Sequence, residues 1–241
     1  MDAVFTMVTI WLIILVILVI VAWWIKRLLN ACALANLTEW GNPWLNYLDG
    51  LNRLFCQYYH RLEYIPIELP KQGSAVIVAN HLSGLDPLLL FAATRRPLHF
   101  LIAREQYERF GLRWLFKAAG CIPVDRSTRP ERALRAAWRT LKAGEVIALF
   151  PQGKIVLPGE SKKPLKRGGL WLAQRTQSPV YPVHLTGITG RGHIFRGILW
   201  RSQAKLVSYP PLTWTAESQP EQLQDLIEAD LTTLRELSNL E

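Results

Sequence analysis

The first 25 residues carry only three non-hydrophobic members, Asp2, Thr6 and Thr9. Residues 3–25 form an uncharged run of 23. About 20 apolar residues suffice to cross the hydrocarbon core of a bilayer. The run ends in Trp23-Trp24 followed by Lys26-Arg27, an interfacial aromatic pair and then basic residues. Ala33-Leu34-Ala35 resembles a signal-peptidase site. However, the run is longer than a signal core, no Lys or Arg precedes it, and basic residues follow it, so an uncleaved anchor is expected. Beyond it the apolar positions change period. Trp44, Leu45, Leu48, Leu51, Leu54, Phe55 and Tyr58 recur at helical intervals after Gly41-Asn42-Pro43, which predicts an amphipathic helix from about Pro43. Such a helix either lies in the membrane interface or packs on the following domain.

Short apolar runs then alternate with helical patterns. Strands are expected at 74–80, 98–103, 121–124, 145–150, 180–185 and 205–209. Helices are expected at 86–93, 105–118, 129–142, 168–177 and 220–237. The first of these helices starts with Asp86 as N-cap and Pro87 at N1. This order predicts an α/β fold, a mixed sheet flanked by helices. An N-terminal transmembrane helix and an amphipathic helix precede it. No repeat or linker divides the body.

Composition sharpens this picture. Hydrophobic residues make up 50% of the 241-residue chain. Without residues 1–25 the share falls to roughly 45%, ordinary for a globular body. Lys and Arg number 28 against 19 Asp and Glu, a formal charge of +9. All these cations lie at or after position 26, so the positive-inside rule places the body on the cytoplasmic side. Nucleic acid and an anionic membrane are both natural partners for a basic, ten-Trp chain. The basic residues are scattered without a nucleic-acid motif, which disfavours nucleic acid. The three cysteines, Cys32, Cys56 and Cys121, form no C-x-x-C pair. There is no H-E-x-x-H, P-loop, G-x-G-x-x-G or G-x-S-x-G. No metal and no cofactor are therefore expected.

The segment Asn80-His81-Leu82-Ser83-Gly84-Leu85-Asp86 joins a buried strand to the next helix. Open α/β sheets hold their reactive groups beyond strand ends of this kind. A His five residues before an Asp, across a Ser-Gly turn, can fold back onto the carboxylate. The Asp would fix the ring tautomer and leave the other nitrogen free to take a proton from a hydroxyl. The alternative is a plain N-cap at Asp86 and a polar strand-end residue at His81. His60, His99, His184 and His193 have no motif around them and read as structural or surface. Cys121, in a buried strand, reads as a small core residue.

Further blocks add to this segment. Gly120-Cys121-Ile122-Pro123-Val124-Asp125-Arg126 ends a short strand in an Asp-Arg pair. Phe150-Pro151-Gln152-Gly153 follows another strand, and Val180-Tyr181-Pro182-Val183 opens a third. With N-H-x4-D in front, these four resemble, in order, the blocks of the glycerolipid acyltransferases typified by lysophosphatidic acid acyltransferases. Leu165-Lys166-Arg167-Gly168-Gly169 is similar to that family's K-x-G helix entry. The resemblance covers about residues 70–190. It implies a direct acyl transfer with His81 as base and Asp86 orienting it. Arg126, Gln152, Gly153 and Lys154 would bind substrate. The donor would be acyl-coenzyme A or acyl carrier protein, and the acceptor a lysophospholipid. The implied layout is an anchor at 1–35, an amphipathic segment at 36–65 and an acyltransferase domain at 66–241. The third block departs from the family: Gln152 replaces the usual Glu, and Lys154-Ile155 stand where Thr or Ser and Arg are expected. Either Arg126 and Lys154 still hold an acceptor phosphate, or the acceptor is another lipid alcohol, such as a glycolipid or a carotenoid glycoside, or the chain is a non-catalytic lipid-binding relative. Lys154, Lys162, Lys163, Lys166 and Arg167 form a basic loop that either is solvated or meets anionic groups. Arg95, Arg96, Arg191, Arg196 and Arg201 extend the basic surface.

Overall fold

The structure, a computed structural model, describes residues 2–125, 130–155 and 168–213. Arg126, the lysines and arginine at 162–167 and the expected helix at 220–237 lie outside the described residues. The apolar run forms helix α1 (Asp2–Ala35). From Phe5 to Ala35 this helix is long and apolar enough to cross a membrane, and none of its most apolar stretch is buried in the protein. Arg27 places its guanidinium 5.3 Å from the Trp23 ring and 5.7 Å from the Trp24 ring, within cation–π range of both.

Helix α2 (Pro43–Leu54) starts where the sequence predicts. Asn42 caps it by accepting from the Trp44 backbone N–H, and Pro43 opens it. One face of this helix packs on the rest of the protein, as the second expectation has it. Leu45, Asp49, Gly50 and Arg53 are buried. Trp44, Leu48 and Leu51 are exposed. Gly50 leaves no room for a Cβ against the Cys32 backbone, which lets α1 and α2 touch main chain to main chain. A π-helical turn (Phe55–Tyr59) ends the segment.

Seven strands form a mixed sheet: β1 (Glu63–Tyr64), β2 (Ala75–Ala79), β3 (Leu98–Ala103), β4 (Ile122–Val124), β5 (Val146–Leu149), β6 (Val180–Thr186) and β7 (Lys205–Ser208). Their order is β1-β7-β6-β2-β5-β3-β4, and all pairs are parallel except β6 with β7. Every residue of β2 is buried, as expected for an apolar strand covered on both faces. Ala75, Ile77 and Ala79 join one core with Leu85, Leu89 and Leu90 of the segment around helix α3 (Asp86–Ala92). Val76 and Val78 join the other with Ala133, Ala137 and Leu141 of α6 (Pro130–Lys142) and Leu172 and Ala173 of α7 (Gly168–Thr176). Helices α3 and α7 thus leave β2 and β5 toward opposite faces. The crevice between them opens at the carboxyl ends of these neighbouring strands.

Three elements depart from the sequence pattern. The helix expected at 105–118 is two short pieces, α4 (Arg104–Tyr107) and α5 (Arg113–Ala118). Between them Gly111 adopts a left-handed φ of 79°, which no continuous helix allows. The two-residue β1 and the one-and-a-half-turn α8 (Ile194–Leu199) are too short to show a period.

A buried ion pair clamps α2 to α3. Arg53 Nε lies 2.6 Å from Asp49 Oδ2, and the same guanidinium donates to the carbonyl oxygens of Ala92 and Phe91 at 2.7 and 3.2 Å. The cation therefore satisfies the last carbonyls of α3. Burial pushes the Asp49 carboxyl up, against the pull of Arg53. Arg53→Met is expected to destabilise the protein by about 3–5 kcal/mol, because it strands a buried carboxylate. Adding Asp49→Leu should restore much of the loss. Thermal unfolding of the two variants checks this, and an Arg53→Met protein as stable as wild type would contradict it.

Candidate active site

Strand β2 delivers Asn80 and His81 to the crevice. Asn80 extends the sheet by side chain: its Nδ2 donates to the Leu185 carbonyl at 2.9 Å and its Oδ1 accepts from the Leu185 N–H at 2.7 Å. This double bond ties the end of β2 to β6, so the loop that follows starts from a fixed point. The loop then folds around one carboxylate. Asp86 Oδ2 accepts from His81 Nδ1 at 2.7 Å, from the Leu82 N–H at 2.6 Å and from the Ser83 N–H at 2.9 Å. The Ser83 hydroxyl donates to Oδ1 at 3.1 Å and accepts from the Leu85 N–H at 3.0 Å. Asp86 is completely buried, whereas the His81 side chain keeps 18% of its surface exposed. One partner is sealed and the other is reachable.

The plain N-cap reading of Asp86 is corrected here. Asp86 is itself the first residue of α3, the N-cap position is Leu85, and no side chain caps it. The carboxylate turns back onto the loop instead, where two backbone N–H groups, a hydroxyl and the imidazole engage it. An anion with this many donors locks Nδ1 as the protonated nitrogen and leaves Nε2 with its lone pair. That nitrogen can accept a proton from a hydroxyl brought against it.

Residues of the third block complete the wall. The Phe150 ring stacks on His81 with centroids 4.1 Å apart and planes within 10°. Phe150 in turn stacks on Phe100, 5.9 Å away. The Gly153 N–H donates to the Phe150 carbonyl at 2.9 Å, closing a turn with Pro151 at its second position. Proline there and glycine at the fourth position are what a tight turn of this type favours. The turn holds Gln152, Gly153 and exposed Lys154 beside the His81 wall. Gln152 Oε1 is buried and accepts no hydrogen bond.

The fourth block lies in β6, next to β2, with Ala79 in register with Val183. Asp125, from the second block, ends the edge region of β4 and meets Arg104 at 3.5 Å. Three strand spacings, about 14 Å, separate that edge from β2. The structure thus brings the first, third and fourth blocks together, and the described part of the second, up to Asp125, lies at the β4 edge.

Sequence patterns missed several contributors. Ser83 is fully buried and bonds both to Asp86 and to the Leu85 backbone. Gly84 and Ser83 pack directly against Ile194 and Gly197 of α8, where a Cβ on either glycine would clash. Ser-Gly inside the first block is the one local sign of such a close approach. Cys121 is sealed, and burial pushes its thiol up to about 11, which makes it a core residue and a poor nucleophile. His60 is buried with Nε2 at 3.1 Å from the Ile198 carbonyl, and burial lowers its basicity.

Comparison with known proteins agrees with this architecture. A 1-acyl-sn-glycerol-3-phosphate acyltransferase of Bacillus subtilis is 25% identical over 175 residues, 71% of this chain and 84% of that protein. A probable 1-acyl-sn-glycerol-3-phosphate acyltransferase of Mycoplasma genitalium is 32% identical over 130 residues, and the match spans only 47% of that longer protein. The crystal structure of the 1-acyl-sn-glycerophosphate acyltransferase PlsC from Thermotoga maritima superposes with a TM-score of 0.62 at 22% identity, covering 79% of this chain and 80% of that one. It shares the fold. The family profile described as Acyltransferase matches residues 59–186, just over half of the sequence and all four blocks. On this match, the chain belongs to the Acyltransferase family and is an acyltransferase.

Proposed function

We propose that this protein is a membrane-bound O-acyltransferase that moves a fatty acyl chain from an acyl thioester to a hydroxyl of a lysophospholipid, 1-acylglycerol-3-phosphate. The observation that carries the reading is the sealed Asp86 held 2.7 Å from the reachable His81, on a wall made by the third block. The relatives' names supply the acceptor class. The apolar helix α1 and the cations that follow it support a catalytic domain on the cytoplasmic face.

In the proposed reaction the acceptor hydroxyl attacks the thioester carbonyl carbon while His81 Nε2 takes its proton. Asp86 stabilises the imidazolium that forms. The tetrahedral intermediate then collapses, the C–S bond breaks, and the departing thiolate recovers the proton from His81. The new C–O bond is the ester. Arg126 and Lys154 hold the acceptor phosphate, Arg126 with a fork suited to two phosphate oxygens and Lys154 as a point charge. Gly153 shapes the turn that presents Lys154.

The unpartnered Gln152 Oε1 favours a second reading, in which the acceptor is a different lipid alcohol that donates to this oxygen. One assay separates them. Membranes carrying the protein are incubated with labelled acyl-coenzyme A or acyl carrier protein and a panel of lysophosphatidate, other lysolipids and glycolipids. Preferred transfer to lysophosphatidate is expected, and transfer to a glycolipid alone would replace the first reading by the second. Gln152→Glu adds a negative charge to the pocket. It should shift the ratio of kcat/KM for lysophosphatidate to that for a neutral acceptor by about fivefold, the equivalent of about 1 kcal/mol. An unchanged ratio would remove Gln152 from acceptor selection.

A further inference from the structure

We infer that a second, basic cavity binds the phosphate groups of the acyl donor, as the nucleotide end of a coenzyme A-type thioester. The inference rests on the acyl-thioester reading above and adds a site to it. The cavity has a volume of about 600 Å³ and is lined by Arg61, Arg191, Arg201 and Lys205, with Thr186 and Ser202 between them. That volume is in the range of small-molecule sites. Among the described residues, the acid recorded against these four cations is Glu63, 4.0 Å from Lys205. Like charges gathered on a concave surface attract a multiply charged anion and repel one another without it.

The walls are built, not incidental. Arg61 has a left-handed φ of 48°, uncommon for a residue with a Cβ. Its neighbours hold it there: the Leu62 N–H donates to the Cys56 carbonyl at 3.0 Å, and the Ala204 N–H to the His60 carbonyl at 3.0 Å. Across the cavity, the Gln203 N–H donates to the Gly187 carbonyl and the Thr189 N–H to the Ser202 hydroxyl, at 3.2 and 3.0 Å. Gly187, at φ 68°, sits so close to the Gln203 carbonyl that no side chain fits.

The placement relative to His81 makes the case for a donor. Thr186 ends β6 and pairs with Lys205 at the start of β7, at the sheet end where His81 leaves β2. From β2 to β7 is two strand spacings, about 10 Å. The loop between β6 and α8 is also bonded to the catalytic loop, the Gly192 N–H donating to the Leu82 carbonyl at 2.8 Å. The third-block turn with Lys154 follows β5, on the other flank of β2. Acceptor and donor thus have separate cationic groups on either side of His81. A coenzyme A thioester fits this spacing because a flexible arm separates its reactive carbonyl from its phosphates. Phospholipid headgroups offer the same phosphate chemistry from the membrane, and the test separates the two sources.

The full-length protein in neutral detergent is titrated with coenzyme A, without turnover, in wild-type and Arg191→Gln/Arg201→Gln forms. The double variant is expected to bind coenzyme A at least tenfold more weakly. Its KM for acyl-coenzyme A should rise to match, with kcat, acceptor KM and melting temperature nearly unchanged. Lys205→Gln should repeat the effect at smaller size. Unchanged coenzyme A affinity in the double variant overturns the inference. So does a loss confined to binding of phosphatidylglycerol vesicles, which would assign the cavity to headgroups. A wild-type protein that accepts acyl chains only from carrier protein and does not bind coenzyme A also overturns it, while leaving the acyltransferase reading intact. Conversely, coenzyme A binding lost in the double variant stands even if no lysophospholipid proves to be the acceptor.

Discussion

His81→Ala is expected to abolish acyl transfer, lowering kcat by about 10²–10⁴-fold, the usual worth of a positioned general base. The protein should remain folded and membrane-associated. The imidazole is partly exposed and supplies only one of the donors to Asp86 Oδ2, so its removal leaves the Leu82 and Ser83 N–H groups still bonded. The stability cost should be about 1 kcal/mol, one hydrogen bond and a ring stack. Rates of labelled acyl transfer, measured beside thermal unfolding, decide the matter. A His81→Ala protein that keeps a tenth or more of wild-type activity would exclude His81 as the base. A protein that no longer melts cooperatively would show that the ring is structural, and the stacked Phe150 would be the reason.

Two replacements of Asp86 should have very different costs. In Asp86→Asn an amide oxygen can still accept from the Leu82 and Ser83 N–H groups and from His81 Nδ1. What disappears is the negative charge that favours the imidazolium. Activity should therefore fall roughly 10²-fold with a small change in stability. Asp86→Ala removes the acceptor altogether. It strands two backbone N–H groups and the Ser83 hydroxyl in a loop where Ser83 and Asp86 are fully buried. Each orphaned group costs about 1–3 kcal/mol, so the total is several kcal/mol out of a typical 5–15. Melting curves and rates for both variants check this. Equal destabilisation by Asn and Ala would mean that charge, not hydrogen-bond capacity, holds the loop. An Asn variant with full activity would mean that the carboxylate only shapes the loop.

The elements that set these expectations differ in how openly they show along the chain. Helix α1 is plain because hydropathy is a local sum: residues 3–25 contain no charge. The strands β2, β5 and β6 are plain because burial on both faces leaves unbroken apolar runs such as AVIVA. Helix α2 shows its start through Asn42 and Pro43. Its cationic clamp does not show, because Arg53 meets carbonyl oxygens about 40 positions away at the end of α3. The expected helix at 105–118 breaks because one glycine conformation outweighs a continuous apolar stripe. Helix α8 has too few residues to display a period, yet its Gly197 and Ile194 shape the loop that holds His81.

The sequence by itself determined the long apolar helix, the α/β alternation, the family and the residue types offered to the site. It could do so because each depends on neighbours within a few positions, or on short blocks read in order. Only the tertiary structure decided which of two local readings Asp86 obeys, N-cap or partner of His81. Only it set Phe150 under His81 and gathered Arg61, Arg191, Arg201 and Lys205 around one cavity. Those outcomes follow from strand order. Crossover helices seat β5 and β6 on either side of β2, and the antiparallel β7 returns beside β6. Residues distant in the chain then meet at one end of the sheet, and no periodicity along the chain records that meeting.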